Sequence, residues 1–184
     1  MVRSAGYGHL VVVGDDGLTA TPMPFLVDDD LTVVRAHLAR ANSVWRTAPC
    51  DALLIVPTVD AYVSPGWYPS KAEHGRVVPT WNYEVVHLHG RLVAHDEAEW
   101  VGRLVRDLTE IHEARLPDPW SVDDAPPEFV DAQLRAIVGV ELDVARVEGK
   151  RKLSQNRSEA DRTGAIAGLR SQGDPRSTTL ADTM

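Results

Sequence analysis

Along the first third of the chain, short apolar runs alternate with tight polar turns. Residues 9–13 are rich in β-branched side chains and end at Gly14-Asp15-Asp16-Gly17, the composition of a hairpin turn. A second extended run over residues 18–27 carries Pro22 and Pro24. Proline offers a ladder no N–H, so this strand is expected at a sheet edge or a bulge. Asp28-Asp29-Asp30 turns the chain into a third strand over residues 31–37. Three strands joined by two tight turns predict an antiparallel meander of a barrel or sandwich. The pattern breaks over residues 36–46, which predicts a short helix or turn carrying His37, Arg40 and Asn42. It resumes as a buried strand over residues 52–59 that extends to residue 65.

Residues 66–82, GWYPSKAEHGRVVPTWN, fit neither period. Glycines bracket the first half and Pro69 breaks it, so it reads as an ordered loop or a single helical turn. Its aromatic, cationic and hydroxyl groups lead into a core strand, which makes it a place for a ligand. Residues 77–88 alternate, with Trp81, Tyr83, Val85 and His87 on one face and Asn82, Glu84, Val86 and Leu88 on the other. After Ala94 the period becomes helical. Asp96 stands three residues before Glu99 as a capping box, and Val101, Leu104, Val105, Leu108 and Ile111 form one apolar stripe. A Pro- and Asp-rich loop over residues 116–125 holds Trp120, and Pro126-Pro127 opens a helix with Val130, Leu134 and Ile137 inward. A strand over 138–147 returns to the sheet, followed by the basic, polar run EGKRKLSQNR at 148–157. Two short helices, split at Gly173-Asp174-Pro175, close the chain over residues 158–184. With no internal repeat and no long linker, one α+β domain spanning 1–184 is expected.

The 184 residues suffice for one sizeable core, and 43% hydrophobic with 25% charged residues is the balance of a globular protein. A net charge of −8 argues against broad phosphate neutralisation. No helix-turn-helix pair or basic recognition stripe is readable, so direct nucleic-acid binding is not expected. The single cysteine, Cys50, excludes an internal disulfide and fits a reducing cytoplasm. No apolar run reaches the length of a helical membrane span, so a cytoplasmic protein without a membrane partner is expected.

HLARAN at 37–42, SPGWYPSKAEHGRVVPTWNYEVVHLHG at 64–90 and AIVGVELDVARVEGKRKLSQNR at 136–157 together resemble the PaiB family, whose members are described as FMN-binding negative transcriptional regulators. The resemblance implies an antiparallel split β-barrel of the FMN-binding type with flanking helices, a homodimer, and cofactor sites at the subunit interface. It leaves the cofactor open, because the same family includes haem-dependent piperazate synthases. Those enzymes close N5-hydroxyornithine into a cyclic hydrazine, making an N–N bond with loss of water. Three positions depart from the family pattern. The chain starts where the family's N-terminal helix should be ending, so that helix is expected to be missing. Thr21-Pro22-Met23-Pro24 stands where regulator-like members carry a histidine, and Arg151 stands where many members have tryptophan.

Three clusters are candidates for chemistry. Arg35 and His37, two residues apart, share a strand face, with Arg40 and Asn42 following. A neutral imidazole at a strand end can serve as the axial ligand of haem iron; the same His and Arg can instead hydrogen-bond a flavin or its phosphate. A histidine satisfied by local backbone is the third possibility. Trp67, Tyr68, Ser70 and Lys71 form the second cluster, with His74 and Arg76 beside them; its aromatic surface and donors suit a flavin or a haem with its propionates. Lys150, Arg151 and Lys152, with Gln155, Asn156 and Arg157, are a local anion site or a solvated face. The resemblance places Lys152, Gln155 and Asn156 near the cofactor. His87 and His89 share a strand face and are read as packed histidines in preference to a metal pair. The leading expectation is a haem b enzyme cyclising N5-hydroxy-L-ornithine, a small amino-acid substrate, to L-piperazate. In it His37 binds iron and Arg35 and Lys71 assist the chemistry. The alternatives are an FMN-binding regulator of the PaiB type, or a flavin or haem oxidoreductase of other substrate.

Overall fold

Six strands form because period-two alternation lets each bury one side. In the computed structural model, which describes residues 2–184, they are β1 (Tyr7–Gly14), β2 (Gly17–Val27), β3 (Val33–Ala39), β4 (Cys50–Val63), β5 (Thr80–His95) and β6 (Ile137–Lys152). They close into a barrel in the order β1-β2-β3-β6-β5-β4. The pairs β1–β2, β1–β4, β2–β3 and β3–β6 are antiparallel. The flanking helices are α1 (Val2–Ala5), α2 (Ser70–His74), α3 (Ala98–Glu113), α4 (Pro127–Arg135), α5 (Glu159–Ser171) and α6 (Pro175–Thr183). The α+β split barrel expected from the sequence is therefore the fold. No helix among the described residues is long and apolar enough to cross a membrane.

The chain forms two compact units, residues 1–56 with 87–147, and residues 57–86 with 148–184. In the first, Leu10, Val12, Phe25, Val34, Leu54, Leu88, Leu92 and Leu142 are fully buried. Pairing of β2 with β3 begins only at Phe25, so Pro22 and Pro24 lie in the half of β2 whose ladder is with β1 alone. That is the edge-like setting their missing N–H groups require. Leu104 and Leu108 of α3 pack on Leu26 with Trp100 beside them. The α3 stripe is narrower than its sequence implies, since Ile111 is 48% exposed. The expected Asp96–Glu99 box does not form; Glu97 occupies the cap position without a side-chain bond, and both Asp96 oxygens are taken by Arg40. Nor does α4 bury any residue. Leu134 packs beside Gly102 of α3, while Ile137 is already the first residue of β6.

In the second unit, Val59, Ala61, Leu153, Leu169, Leu180 and Ala181 form a core with Trp67, Ile166 and Met184 against it. Ser158 caps α5 by accepting from the Asp161 N–H, and Asp174 caps α6 by accepting from the Ser177 N–H, with Pro175 in its first turn. The strand expected over 138–147 runs on through the basic residues 148–152 as the end of β6. The buried face of β5 in this unit carries Asn82 and Glu84, and the aromatic face, with Trp81 at 55%, is the exposed one.

Candidate functional site

In the first unit, β3 turns Val34, Ala36 and Leu38 into the core and leaves Arg35 and His37 half-buried on the other face. His37 is not at a strand end, as the sequence implied, because β3 continues to Ala39. In register with it on β6 is Gly139. That position lacks a side chain because the Trp100 ring of α3 fills the space a Cβ would need. Trp100 in turn stacks on His95, ring centroids 4.2 Å apart and planes within 9°, and His95 Nε2 lies 3.7 Å from Glu141. Arg35 reaches Asp107 of α3 at 3.3 Å. Burial pushes the His37 imidazole below its ordinary value, so its ring is neutral near pH 7, and among the described residues no side chain or backbone group bonds it.

Arg40 and Asn42 are held by the fold. The Arg40 guanidinium donates to both carboxylate oxygens of Asp96, one of them at 2.9 Å, and to the carbonyls of Arg135 at 2.7 Å and Ile137 at 3.1 Å. This bidentate pair holds the Asp96 carboxyl below its usual value. Asn42 caps the 3₁₀ turn Ser43–Thr47 by accepting from the Val44 N–H at 3.0 Å, and its amide donates to Thr21 at 3.2 Å.

In the second unit, the loop that begins at Gly66 is pinned by its own residues. Trp67 packs against Gly164 and Gly168 of α5, where a Cβ at either would collide with its carbonyl or its ring. Tyr68 is 2% exposed between Val63 and Ala165, with the Arg157 guanidinium 4.9 Å from its ring centroid. The Ser70 hydroxyl donates to Asp161 Oδ2 at 2.7 Å and its backbone N–H donates to Oδ1 at 3.1 Å. These bonds, the hydroxyl foremost, hold the Asp161 carboxyl below its usual value although it is 4% exposed. Past that anchor, residues 71–76 are all exposed, so Lys71 and Arg76 stand in solvent, and His74 Nδ1 accepts from the Arg76 N–H at 3.0 Å.

The third cluster divides. Arg151 pairs with the buried Glu84 of β5, Lys152 donates to the Thr80 hydroxyl, and Gln155 folds back on its own turn through the Leu153 N–H and the Arg151 carbonyl. Asn156 and Lys150 are exposed. Elsewhere, His87 and His89 meet edge to face with ring centroids 6.3 Å apart, and burial with Arg146 lowers the His89 value. Cys50 lies 3.5 Å from the Thr47 hydroxyl.

The residues that order the loop are ones the sequence reading passed over. Asp161, Gly164 and Gly168 are spaced to lie on one face of α5, and Ser158 three residues before Asp161 carries the pattern of a helix start. The pattern locates a helix and does not say what it packs against. The groups that the fold leaves able to meet a ligand fit the chemistry of a flavin or a haem. In the first unit they are the neutral half-buried imidazole of His37 and the guanidinium of Arg35, one nitrogen of which is on Asp107; in the second, by themselves, they are the solvent-facing cations Lys71 and Arg76.

Residues 1–146 match the family described as "Putative FMN-binding domain". Over 187 aligned residues the chain is 30% identical to the protease synthase and sporulation protein PAI 2 of Bacillus subtilis (strain 168), covering 100% of this chain and 87% of that one. Among solved structures, a flavocytochrome from Azotobacter vinelandii is similar over 88% of this chain and 70% of its own, with a TM-score of 0.59 and 16% identity. An FAD and heme binding protein from Mycobacterium smegmatis is similar over 89% and 74%, with a TM-score of 0.57 and 14% identity. At such identities these two speak for the fold alone. The family match runs from the N-terminus into β6, and the relative spans the whole chain. This chain therefore belongs to the PaiB-like family of FMN-binding split barrels.

Proposed function

We propose that the protein binds FMN. The observation that carries this reading is the family match over residues 1–146, which includes β3 with Arg35 and His37 and the loop with Lys71. Bound flavin would supply hydride and electron transfer. Each unit offers groups of its own: Arg35 and His37 in the first as hydrogen-bonding groups, and Lys71 in the second as a cation for an anionic end. Titrating the protein into FMN and following flavin fluorescence tests it. Saturable quenching, weakened by Arg35→Ala and Lys71→Ala, is the expected result; no saturable quenching rejects the reading. A regulatory role like that implied for PaiB members would rest on this binding, since the chain's charge of −8 disfavours holding DNA directly.

A second reading keeps haem b, with His37 on the iron. Its support is the neutral imidazole of His37, in a fold shared with a flavocytochrome and an FAD and heme binding protein. Cyclisation of N5-hydroxyornithine to piperazate belongs to this reading, with Arg35 or Lys71 holding the amino-acid carboxylate. The family match favours flavin, which reverses the order in which the sequence alone ranked the two. A Soret band after haem reconstitution that His37→Ala abolishes, with turnover of N5-hydroxyornithine, would restore haem to first place. We also propose a homodimer, and the exposed face of β5 carrying Trp81, whose ring meets Tyr62 edge to face at 6.2 Å, is where a second copy would pack.

A further inference from the structure

The loop from Gly66 to Gly75 would be free to flex if it depended on its own backbone, which holds only single turns of bonding. Its order comes from α5 instead. Asp161, in the first turn of that helix, points a buried carboxylate at the loop and accepts both the Ser70 hydroxyl and the Ser70 N–H. One and two turns on, Gly164 and Gly168 clear a notch that Trp67 fills, and Ala165 lies under Tyr68. Arg157, just ahead of the helix, covers the Tyr68 ring. These contacts grip residues 67–70, and Val77 packs back on the same cluster, so Lys71 leaves a fixed point with its side chain in solvent, followed by the exposed His74 and Arg76.

We infer that Asp161 is a positioning residue: through Ser70 it sets the place of the loop's cationic edge, and the group that edge receives is the phosphate or carboxylate end of the ligand. A lysine on a loose loop loses rotamer and backbone freedom on binding; one next to a clamped residue has less to lose. The carboxylate is suited to the task because charge-assisted bonds to a buried oxygen are stronger than neutral ones. This inference rests on the reading that Lys71 faces the ligand.

Two readouts separate the parts. Hydrogen exchange of the amides at residues 67–75 reports the clamp without any ligand, and FMN titration reports the site. Ser70→Ala removes the 2.7 Å bond without altering α5, and Ser70→Thr keeps the hydroxyl. Ser70→Ala and Asp161→Asn are each expected to speed exchange in the loop alone and weaken FMN binding by about tenfold. The double variant should be no weaker than either single, and Ser70→Thr should restore both readouts. Unchanged loop exchange in Ser70→Ala overturns the clamp. Faster exchange with FMN affinity intact, while Lys71→Ala weakens it, overturns the positioning role. If Lys71→Ala leaves FMN affinity unchanged, the loop is not a ligand wall and the inference falls with that reading. Should Asp161→Asn not fold, the two Ser70 variants decide alone.

Discussion

Single residues decide more here through what they omit or neutralise than through charge. Gly139 and Gly168 look interchangeable with alanine in the sequence, yet each has an indole where a Cβ would sit. Gly168→Ala should destabilise the protein by about 1–3 kcal/mol by forcing Trp67 off its notch, measured by urea unfolding; an effect near zero would mean the notch is not filled in solution. His37 carries a second residue-scale prediction. Because burial lowers its folded value below the ordinary 6.5 of a histidine, its contribution to stability is complete above that pH. It is lost as pH falls toward the folded value, where the unfolded chain binds a proton that the folded one refuses. Proton NMR titration of His37 should give a midpoint under 6.5, and a midpoint above it would remove the argument for a neutral imidazole. The pairing of Arg35 with His37 on one face was legible from spacing alone. The lowered imidazole was not, since burial is set by what packs over β3.

At the scale of elements, strands were read more faithfully than helix surroundings. Period-two alternation located β5 and the start of β6, but it stopped short of Lys152 because basic residues on both faces of an exposed strand end carry no apolar alternation. The helix beginning near Asp96 was legible, and its cap was misread for a physical reason. Asp96 has a stronger partner in Arg40, far away in sequence, than in the N–H groups of α3. That pair makes a prediction about the junction of β3 with the end of β5. Its carboxyl is held below the ordinary 3.8, so the pair's stabilisation is present above that pH and fades as pH falls through the folded value. Arg40→Gln should therefore lower stability near neutrality while flattening the fall in stability below about pH 4. Equal acid sensitivity in variant and parent would argue against it.

For the whole molecule, the expectation is a homodimer whose exposed aromatic face is covered. Sedimentation should show two chains per particle, and Trp81→Glu should shift it toward one, because burying an unpaired carboxylate costs several kcal/mol. A wild-type monomer at micromolar concentration would refute this. A DNA fragment is not expected to bind at about 0.15 M salt, where a chain of charge −8 gains little from counterion release. Fold class and family were determined by the sequence, because alternation, turn residues and the long segments around SPGWYPSKAEHG and KLSQNR are local properties of the chain. Which candidate groups are engaged was a tertiary matter. Arg40 meets Asp96, Ser70 meets Asp161 and Trp67 meets Gly168 across separations that no local pattern encodes. Those meetings leave His37 bare on β3 and Lys71 in solvent beyond an anchored loop, because hydrogen-bonding and packing capacity is assigned by proximity in space.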